Sequence, residues 1–323
     1  DMRQQVIPLP PLPEQHRIVE AIEAEFTRLD AGVAALKRLR ANFKRYKATV
    51  LKAAAEGKLV RQDPNDEPAA DLLKRILRER RLKWEADQRA KGRDPQKLKY
   101  DEPKAPDMEG LPELPGGWVW ASLDTLLDLL QYGTSVKADA DQDNGVPILR
   151  MGNIQDGKLQ FNSLKFISPE QEDIEKYRLS PEDLLINRTN SPELVGKTAI
   201  FQLDEVFTFA SYLIRLRVNS SWSLPQYIMH IINSPWGQSY IARVRHQVAG
   251  QANINSQNIR DFPVPLPSLS EQQRIITQVE LCFSIIDELR HVASVTLKRA
   301  ERLRQAILRD AFAGRLVAQD PND

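Results

Sequence analysis

The sequence predicts an α+β protein in which a globular domain of short helices and strands is joined to two long helices. Two observations lead to this prediction. A segment of helical periodicity occurs twice in the chain, and the pattern between the copies changes to short mixed elements from Trp118 to Phe262. The 323 residues are enough for about two domains, and the mixed segment is large enough to bury its own core.

The repeated segment comprises residues 8–66 and 265–323, which align without a gap at a constant offset of 257. About 22 of some 59 positions are identical. The copies begin PLPPLPEQHRI and PLPSLSEQQRI, and both end in QDPND. This offset is far longer than the ~20–50 residues of a solenoid repeat, so the chain uses one large unit twice.

Each copy reads as a proline-rich segment followed by a long helix with an acidic residue in its first turn. Apolar residues recur at spacings of three and four, which is the pattern of a coiled-coil seam. In the first copy they include Ile18, Ile22, Phe26 and Leu29, and in the second Ile275, Val279, Phe283 and Ile286. About 40 helical residues would make each helix ~60 Å long. Gly57 and Gly314 follow the last seam residues and are predicted to terminate the helices.

The predicted organisation has five parts. Residues 1–13 form the end of a preceding domain or a lead-in segment, and 14–66 the first long helix. Residues 67–117 form a basic helix and a Pro-rich linker, 118–262 the globular domain, and 263–323 the second long helix. At the offset of 257, residues 1–3 align with 258–260, so we hypothesise that another domain like 118–257 precedes this chain.

The globular domain is expected to contain a helix over Leu123–Leu130 and strands over Val146–Arg150, Leu184–Arg188, Thr198–Gln202 and Ser211–Val218. Helical pattern returns at Pro225–Asn233 and Pro235–Gln247.

Composition excludes several classes of protein. The 45 basic and 44 acidic residues give a net charge of +1, so a nucleic-acid site would need local charge separation. A lone cysteine excludes an intramolecular disulfide and fits a reducing compartment, and we expect a cytoplasmic protein. The four histidines lack metal-ligand spacing, and no nucleotide-binding loop or nucleophile elbow is present. Intrinsic catalysis and a metal site are therefore not predicted.

Three polar loops carry the side chains that base reading requires, since Arg can bind guanine and Asn or Gln can bind adenine in the major groove. The alternative for each loop is an ordinary polar turn, and for the basic helix at residues 74–93 a solvated surface. The candidate DNA-binding residues in the first loop are Arg188, Thr189, Asn190, Ser191 and Lys197. Those in the second loop are Gln251, Asn253 and Asn255, and those in the third are Ser135 and Lys137. Three further candidates lie outside the loops: Arg150, Arg243 and Arg245.

The duplicated PLP-x-L-x-EQ-x-RI motif, LPGGWVWASL, LLINRTNSPELVGKTAI and GQANINSQNIRDFPVPLP together resemble the specificity (S) subunit of Type I restriction–modification enzymes. The resemblance implies that residues 118–262 are a target recognition domain reading one half of a bipartite DNA site. It also implies that the two long helices pack as an antiparallel coiled coil that spaces the half-sites.

The resemblance further implies docking of adenine-N6 methyltransferase (M) and restriction (R) subunits. No cofactor would be bound by this chain, because S-adenosylmethionine, ATP and Mg would act in those partners. One recognition domain with two helices matches the C-terminal half of such a subunit, so two copies could associate head-to-tail. The alternative is a coiled-coil interaction scaffold that does not bind DNA.

Overall fold

The structure, a computed structural model, describes residues 9–139, 145–170, 174–248 and 251–319. Within these ranges the α-helices are α1 (Leu12–Ala55), α2 (Ala69–Ala90), α3 (Leu123–Leu126), α4 (Ile174–Tyr177), α5 (Pro225–Asn233), α6 (Pro235–Val244), α7 (Ser256–Arg260) and α8 (Leu269–Phe312). The strands are β1 (Val119–Ser122), β2 (Leu127–Tyr132), β3 (Val146–Leu149), β4 (Ile154–Gln155), β5 (Lys158–Leu159), β6 (Lys165–Ile167), β7 (Leu184–Asn187), β8 (Thr189–Asn190), β9 (Thr198–Ile200), β10 (Thr208–Phe209), β11 (Leu213–Val218), β12 (His246–Val248), β13 (Gln251–Asn253) and β14 (Pro263–Leu266). The predicted α+β class is confirmed.

The two long helices, α1 and α8, have 44 residues each, and both end as their glycines predict. Gly57 and Gly314 adopt φ values of 64° and 65°, in the left-handed region that favours glycine. At the first end, the Lys58 amide donates to the Ala53 carbonyl at 2.8 Å, and at the second the Arg315 amide donates to the Asp310 carbonyl at 2.8 Å. These bonds satisfy carbonyls that the helices would otherwise leave unpaired.

The chain forms two compact units. The helix-pair unit contains residues up to Lys47 together with those from Leu281 onward, and the domain unit contains Ala48–Glu280. The last turns of α1 and the first turns of α8 thus belong with the globular domain, a division the sequence pattern did not predict.

In the helix-pair unit the helices are antiparallel, because Lys47 meets Asp287 whereas Asp30 meets Arg304. The Nζ of Lys47 lies 2.6 Å from Asp287 Oδ1, and Arg304 Nη2 lies 3.1 Å from Asp30 Oδ2. Asp287 lies 257 positions after Asp30, and Arg304 lies 257 positions after Lys47. The two ion pairs are therefore repeat equivalents of each other. This unit therefore has internal pseudo-two-fold symmetry.

An aromatic contact follows the same symmetry. Lys47 lies 4.8 Å from the ring centroid of Phe283, and the guanidinium of Arg304 lies 4.5 Å from that of Phe26. Phe283 is the repeat equivalent of Phe26. Between the two ion pairs, Phe43 is fully buried and packs with Ile286 and Ala293. The predicted coiled coil is confirmed in this unit.

In the domain unit a four-stranded antiparallel sheet has the order β2-β11-β7-β9. Smaller sheets are β10-β3-β6, β12-β13-β8, β1-β14 and β4-β5. The core packs against these sheets and includes Leu149, Leu185, Phe201, Phe209 and Leu213. Asp183, with no exposed surface, accepts two bonds from Arg217 at 2.8 and 2.9 Å, so these charges support the fold.

Two element predictions in the domain were wrong. The helix expected over Leu123–Leu130 stops at Leu126, and the chain continues as β2. The helix expected to reach Gln247 stops at Val244, and His246 begins β12. In the first case β11, which is far along the chain, takes up the backbone bonds, and in the second the next strand, β13, does so. Helical periodicity carries no information about either partner.

Candidate nucleic-acid interface

Two of the three predicted polar loops meet in one small sheet. Strand β8 pairs antiparallel with β13, with Asn190 opposite Ala252 and Thr189 opposite Asn253. The Ile254 amide also donates to the Arg188 carbonyl at 3.0 Å. Loops that are about sixty residues apart in sequence are therefore held in a fixed register. Residues 249–250, part of the second predicted loop, lie outside the described residues.

The third predicted loop joins this sheet through Tyr132, the last residue of β2. The guanidinium of Arg188 lies 4.8 Å from the centroid of the Tyr132 ring. The Tyr132 hydroxyl accepts a hydrogen bond from the Ser256 amide at 2.8 Å. Tyr132 thus connects all three loops. Beyond it, Ser135 and Lys137 are exposed.

The Arg188 side chain is held in place by its neighbours, but its positive charge is not paired with a carboxylate of the described residues. Its backbone amide donates to the Tyr212 carbonyl at 2.9 Å, its Nε is buried without a partner, and no carboxylate of the described residues pairs with it. Arg217, in contrast, is bound to Asp183. A guanidinium that is fixed by an aromatic ring and lacks an acidic partner is suited to binding an anion or a base edge.

Arg243 lies in the last turn of α6 and Arg245 between α6 and β12, and the two differ in their contacts. Arg245 donates from Nη1 to the Pro192 carbonyl and so ties β12 to the first loop. Arg243 is exposed and stacks on Tyr240, with 5.6 Å between the guanidinium and the ring centroid. Arg245 is therefore mainly committed within the protein, whereas Arg243 remains accessible.

Glu193 is an acidic residue within the predicted basic surface. Hydrogen bonds from its own backbone amide and from the Ser191 side chain, aided by the charges of Arg245 and Lys197, lower the pKa of its carboxyl. Because the side chain is solvated, this carboxylate offsets only part of the positive charge of half-buried Lys197.

The predicted amide residues have different environments. Gln251 is exposed and Asn253 half-buried on β13, so both can present amides to a partner. Asn255 instead accepts a bond from the Asn258 amide at 2.8 Å and caps α7. Its polar group serves the fold, which sequence reasoning did not anticipate. Arg150 follows β3, and its half-buried side chain has a buried Nε without a partner.

The basic helix α2 is largely committed to intramolecular contacts. Arg80 donates from Nη1 to the carbonyls of Thr125 and Leu127, at 3.3 and 2.6 Å, and Lys83 pairs with Asp128 at 2.9 Å. Arg80 and Lys83 therefore fasten α2 to the domain. The basic helix at residues 74–93 was also a sequence-based candidate for contacting DNA phosphates, and that stays a prediction.

The predicted seam residues are buried to different extents in the two copies. Ile275, Val279 and Ile286 are buried, and Phe283 is intermediate. Their first-copy equivalents are only half-buried; they are Ile18, Ile22, Phe26 and Leu29. At Ile275 and Val279 the difference arises because these residues belong to the domain unit, whereas Ile18 and Ile22 belong to the helix-pair unit.

The domain is fastened at the start of α8 by a set of buried polar contacts. Gln272, with no exposed surface, accepts bonds at Oε1 from the Ser223 hydroxyl at 2.9 Å and the Leu224 amide at 2.8 Å. The indole of Trp118 donates to Glu271 Oε2 at 3.0 Å. Burial raises the pKa of the Glu271 carboxyl, and this hydrogen bond opposes the rise.

Metal and membrane sites are not indicated. Across the described ranges, no cluster of three His, Cys, Asp or Glu side chains could hold a metal ion. Among the same residues, no helix has the length and apolar character needed to cross a membrane.

The chain is similar to known proteins along most of its length. Residues 115–289 match the family described as Type I restriction modification DNA specificity domain. The chain is 26% identical over 316 residues to the Type I restriction enzyme EcoKI specificity subunit of Escherichia coli (strain K12), with 97% of this chain and 58% of that subunit covered. It is 26% identical over 315 residues to the StySPI specificity subunit of Salmonella potsdam, with 97% and 58% covered. The chain thus spans 58% of the length of these relatives.

Two solved structures have a similar fold. The HsdS subunit from Thermoanaerobacter tengcongensis aligns with a TM-score of 0.54 at 21% identity, covering 96% of this chain and 60% of that one. A chain solved for the structural basis of complex assembly and conformational transition of the type I R-M system aligns with a TM-score of 0.62 at 23% identity, covering 96% and 61%. At these identities the likeness supports the fold.

Proposed function

This chain belongs to the family of Type I restriction modification DNA specificity domains, and from that premise we propose that it is a sequence-specific DNA-recognition subunit. In this role it reads one half of a bipartite site with the domain unit and performs no catalysis itself. The relatives are named specificity subunits, which agrees with a recognition role.

The observation that carries the proposal is the convergence of three polar loops around Arg188. A recognition surface must hold hydrogen-bonding side chains rigidly while leaving their polar atoms unsatisfied. The β8–β13 pairing supplies the rigidity, and Arg188, Gln251 and Arg243 supply accessible donors and acceptors.

Selection of duplexes from a random pool, followed by electrophoretic shift, tests the proposal with and without a methyltransferase partner. We expect the protein to enrich a defined sequence. Arg188→Ala should lower the preference for that sequence by about 10- to 100-fold, since one good base contact contributes about 1–3 kcal/mol. Arg89→Ala is the matched control, because Arg89 is exposed and paired with Glu85 on α2.

A coiled-coil scaffold without DNA binding predicts a different result. It would shift no duplex under either condition, and Arg188→Ala would change nothing. If the unmodified protein enriches a sequence and the Arg188→Ala variant prefers the same sequence equally, Arg188 does not read a base. DNA recognition by the chain would still stand.

We propose that methyltransferase and restriction subunits dock on this chain and supply the chemistry. S-adenosylmethionine, ATP and Mg would bind to those partners. The complete enzyme would methylate adenine and cleave foreign DNA in the cytoplasm, as a defence against phage. Co-purification of the chain with the methyltransferase subunit of its own system tests the first of these contacts.

We also propose that the helix-pair unit accepts a second recognition domain, from a second copy of this chain or from a like domain. Positions that are covered in the domain unit have exposed repeat equivalents in the helix-pair unit. Exposure rises from 5% at Ile276 to 51% at Val19, from 7% at Leu51 to 37% at Leu308, and from 6% at Ala55 to 63% at Phe312. Exposed apolar residues at positions whose repeat equivalents are covered in the domain unit favour burial under a second, equivalent domain.

A head-to-tail homodimer is the form of this proposal that can be tested with the chain alone. Light scattering at micromolar concentration should give twice the chain mass, and Phe312→Asp should shift the equilibrium towards monomer. A monomer of the unmodified chain, with a footprint over a single half-site, would contradict the homodimer.

A further inference from the structure

The middle of the helix-pair unit carries a strong excess of positive charge. Its central section, defined as residues 31–46 of α1 and 288–303 of α8, lies between the two symmetry-related ion pairs. The section contains nine lysines and arginines but two carboxylates, whereas the whole chain has 45 and 44. The nine are Lys37, Arg38, Arg40, Lys44, Arg45, Arg290, Lys298, Arg299 and Arg302.

These cations are accessible. Eight of the nine are exposed, and Arg290 is intermediate. Lys37, Arg40 and Lys298 share a groove of about 810 Å³ between the helices, and no ion pair engages them among the described residues. Asp30 and Glu301 also line this groove, but Asp30 is paired with Arg304. Like charges repel one another, so an excess of nine cations over two carboxylates in this section destabilises the helix pair unless an anion binds.

The size and symmetry of the section fit one kind of anion. From Asp30 to Lys47 the helix rises about 25 Å, close to three-quarters of a DNA turn. The two ion pairs flank the section and are exchanged by the repeat, so the section is centred on the pseudo-two-fold axis. A bipartite site read by two equivalent domains also has a two-fold axis, at the centre of its spacer.

We propose that the central section is a second DNA contact, which holds the phosphates of the unread spacer between the two half-sites. The inference rests on the proposed function and adds a sequence-independent contact to it. A duplex carries one charge per ~1.7 Å of its axis and matches a surface with nine cations and two carboxylates better than a folded protein, whose surface mixes both signs. Exposed apolar residues of α8 lie both outside the section, as Leu281 and Ile285 do, and between its cations, as Val292 and Val295 do.

The test compares two triple variants of the full chain. Lys37→Gln/Arg40→Gln/Lys298→Gln removes three cations of the central section. Lys58→Gln/Lys99→Gln/Lys104→Gln removes three exposed cations of the domain unit and so changes net charge equally. The probe is a duplex carrying the sequence that the unmodified protein selects from a random pool, and circular dichroism verifies that both variants keep their helices.

The slope of log affinity against log salt concentration is the main measurement. We expect its magnitude to fall by about one for each phosphate that the central-section variant no longer neutralises, and to stay unchanged in the control. Base preference should be the same in the central-section variant and the unmodified protein. We expect ethylation of spacer phosphates to weaken DNA binding by the unmodified protein and to have no effect on DNA binding by the central-section variant.

Two results would overturn the inference and leave the proposed function standing. One is a central-section variant whose salt slope and ethylation pattern equal those of the control. The other is an unchanged slope accompanied by loss of the methyltransferase subunit in co-purification, which would assign the surface to an acidic protein partner. If the unmodified protein selects no sequence at all, the proposed function fails and this inference fails with it.

Discussion

Replacing Gln272 by Leu should destabilise the domain unit far more than the same change at its repeat equivalent, Gln15. Leu has similar size, so the main loss is hydrogen bonding. Gln272→Leu leaves three groups without their hydrogen-bond partner. The Ser223 hydroxyl and the Leu224 amide lose their acceptor, Oε1, and the Pro267 carbonyl loses its donor, Nε2, at 3.2 Å.

The magnitude follows from the number of buried groups left unpaired. Each costs about 1–3 kcal/mol, but the Ser223 hydroxyl can rotate towards another acceptor, so we expect a loss of about 3 kcal/mol. The Gln15 side chain donates from Nε2 to the Pro10 carbonyl at 2.8 Å and is only half-buried, so water can replace this bond. In a dilute, monomeric sample Gln15→Leu should therefore cost less than about 1 kcal/mol.

Tryptophan fluorescence during urea unfolding separates the two variants. All five tryptophans lie between positions 84 and 236, within the domain unit, so their signal reports that unit alone. Gln272→Leu should lower the urea midpoint, and Gln15→Leu should leave it in place. Equal shifts would refute the argument that burial under the domain, and not the repeated sequence motif, determines the role of this glutamine.

Four further predictions use other contacts. Tyr132→Leu should reduce sequence preference in selection experiments because Arg188 loses its stacking partner, whereas Tyr132→Phe should keep the preference while lowering thermal stability, since the Ser256 amide then has no acceptor. Arg80→Met should lower the free energy of unfolding by about 1–2 kcal/mol, since two carbonyls lose a donor, while the salt slope of DNA binding stays unchanged. Burial lowers the pKa of His230 to about 4, so the unfolded chain takes up this proton first and stability should fall as pH drops from 6.5 towards 4, by up to about 3 kcal/mol. His230→Phe should flatten that part of the curve of unfolding free energy against pH. Lys47→Met and Arg304→Met should each destabilise the helix-pair unit by about 0.5–1 kcal/mol in circular-dichroism melts, with the larger loss at Lys47, whose side chain is 17% exposed against 47% for Arg304. A larger loss at Arg304 would contradict the argument from burial.

The candidate surface was predictable as a set of residues but not as an arrangement. The polar loops around Arg188 and Gln251 were identified from residue type alone, because readers of base edges use few side chains. Tyr132 was not among the candidate residues, and nothing in the sequence indicates that its ring would lie against Arg188. Which residues bind DNA stays a prediction for most of the set, and capping by Asn255 shows how a local fold requirement can take a candidate away.

The sequence by itself determined the features that depend on neighbours a few positions away or on exact repetition. The presence of α1 and α8, their glycine ends and the relation between the copies follow from periodicity of three to four residues and from the offset of 257. Only the tertiary structure decided that residues 127–132 are a strand, that Arg80 serves the fold, and that two equivalent glutamines have different tasks. Those outcomes depend on which distant groups meet in space and what they exclude from water, and pairing over such separations leaves no periodic trace in the chain.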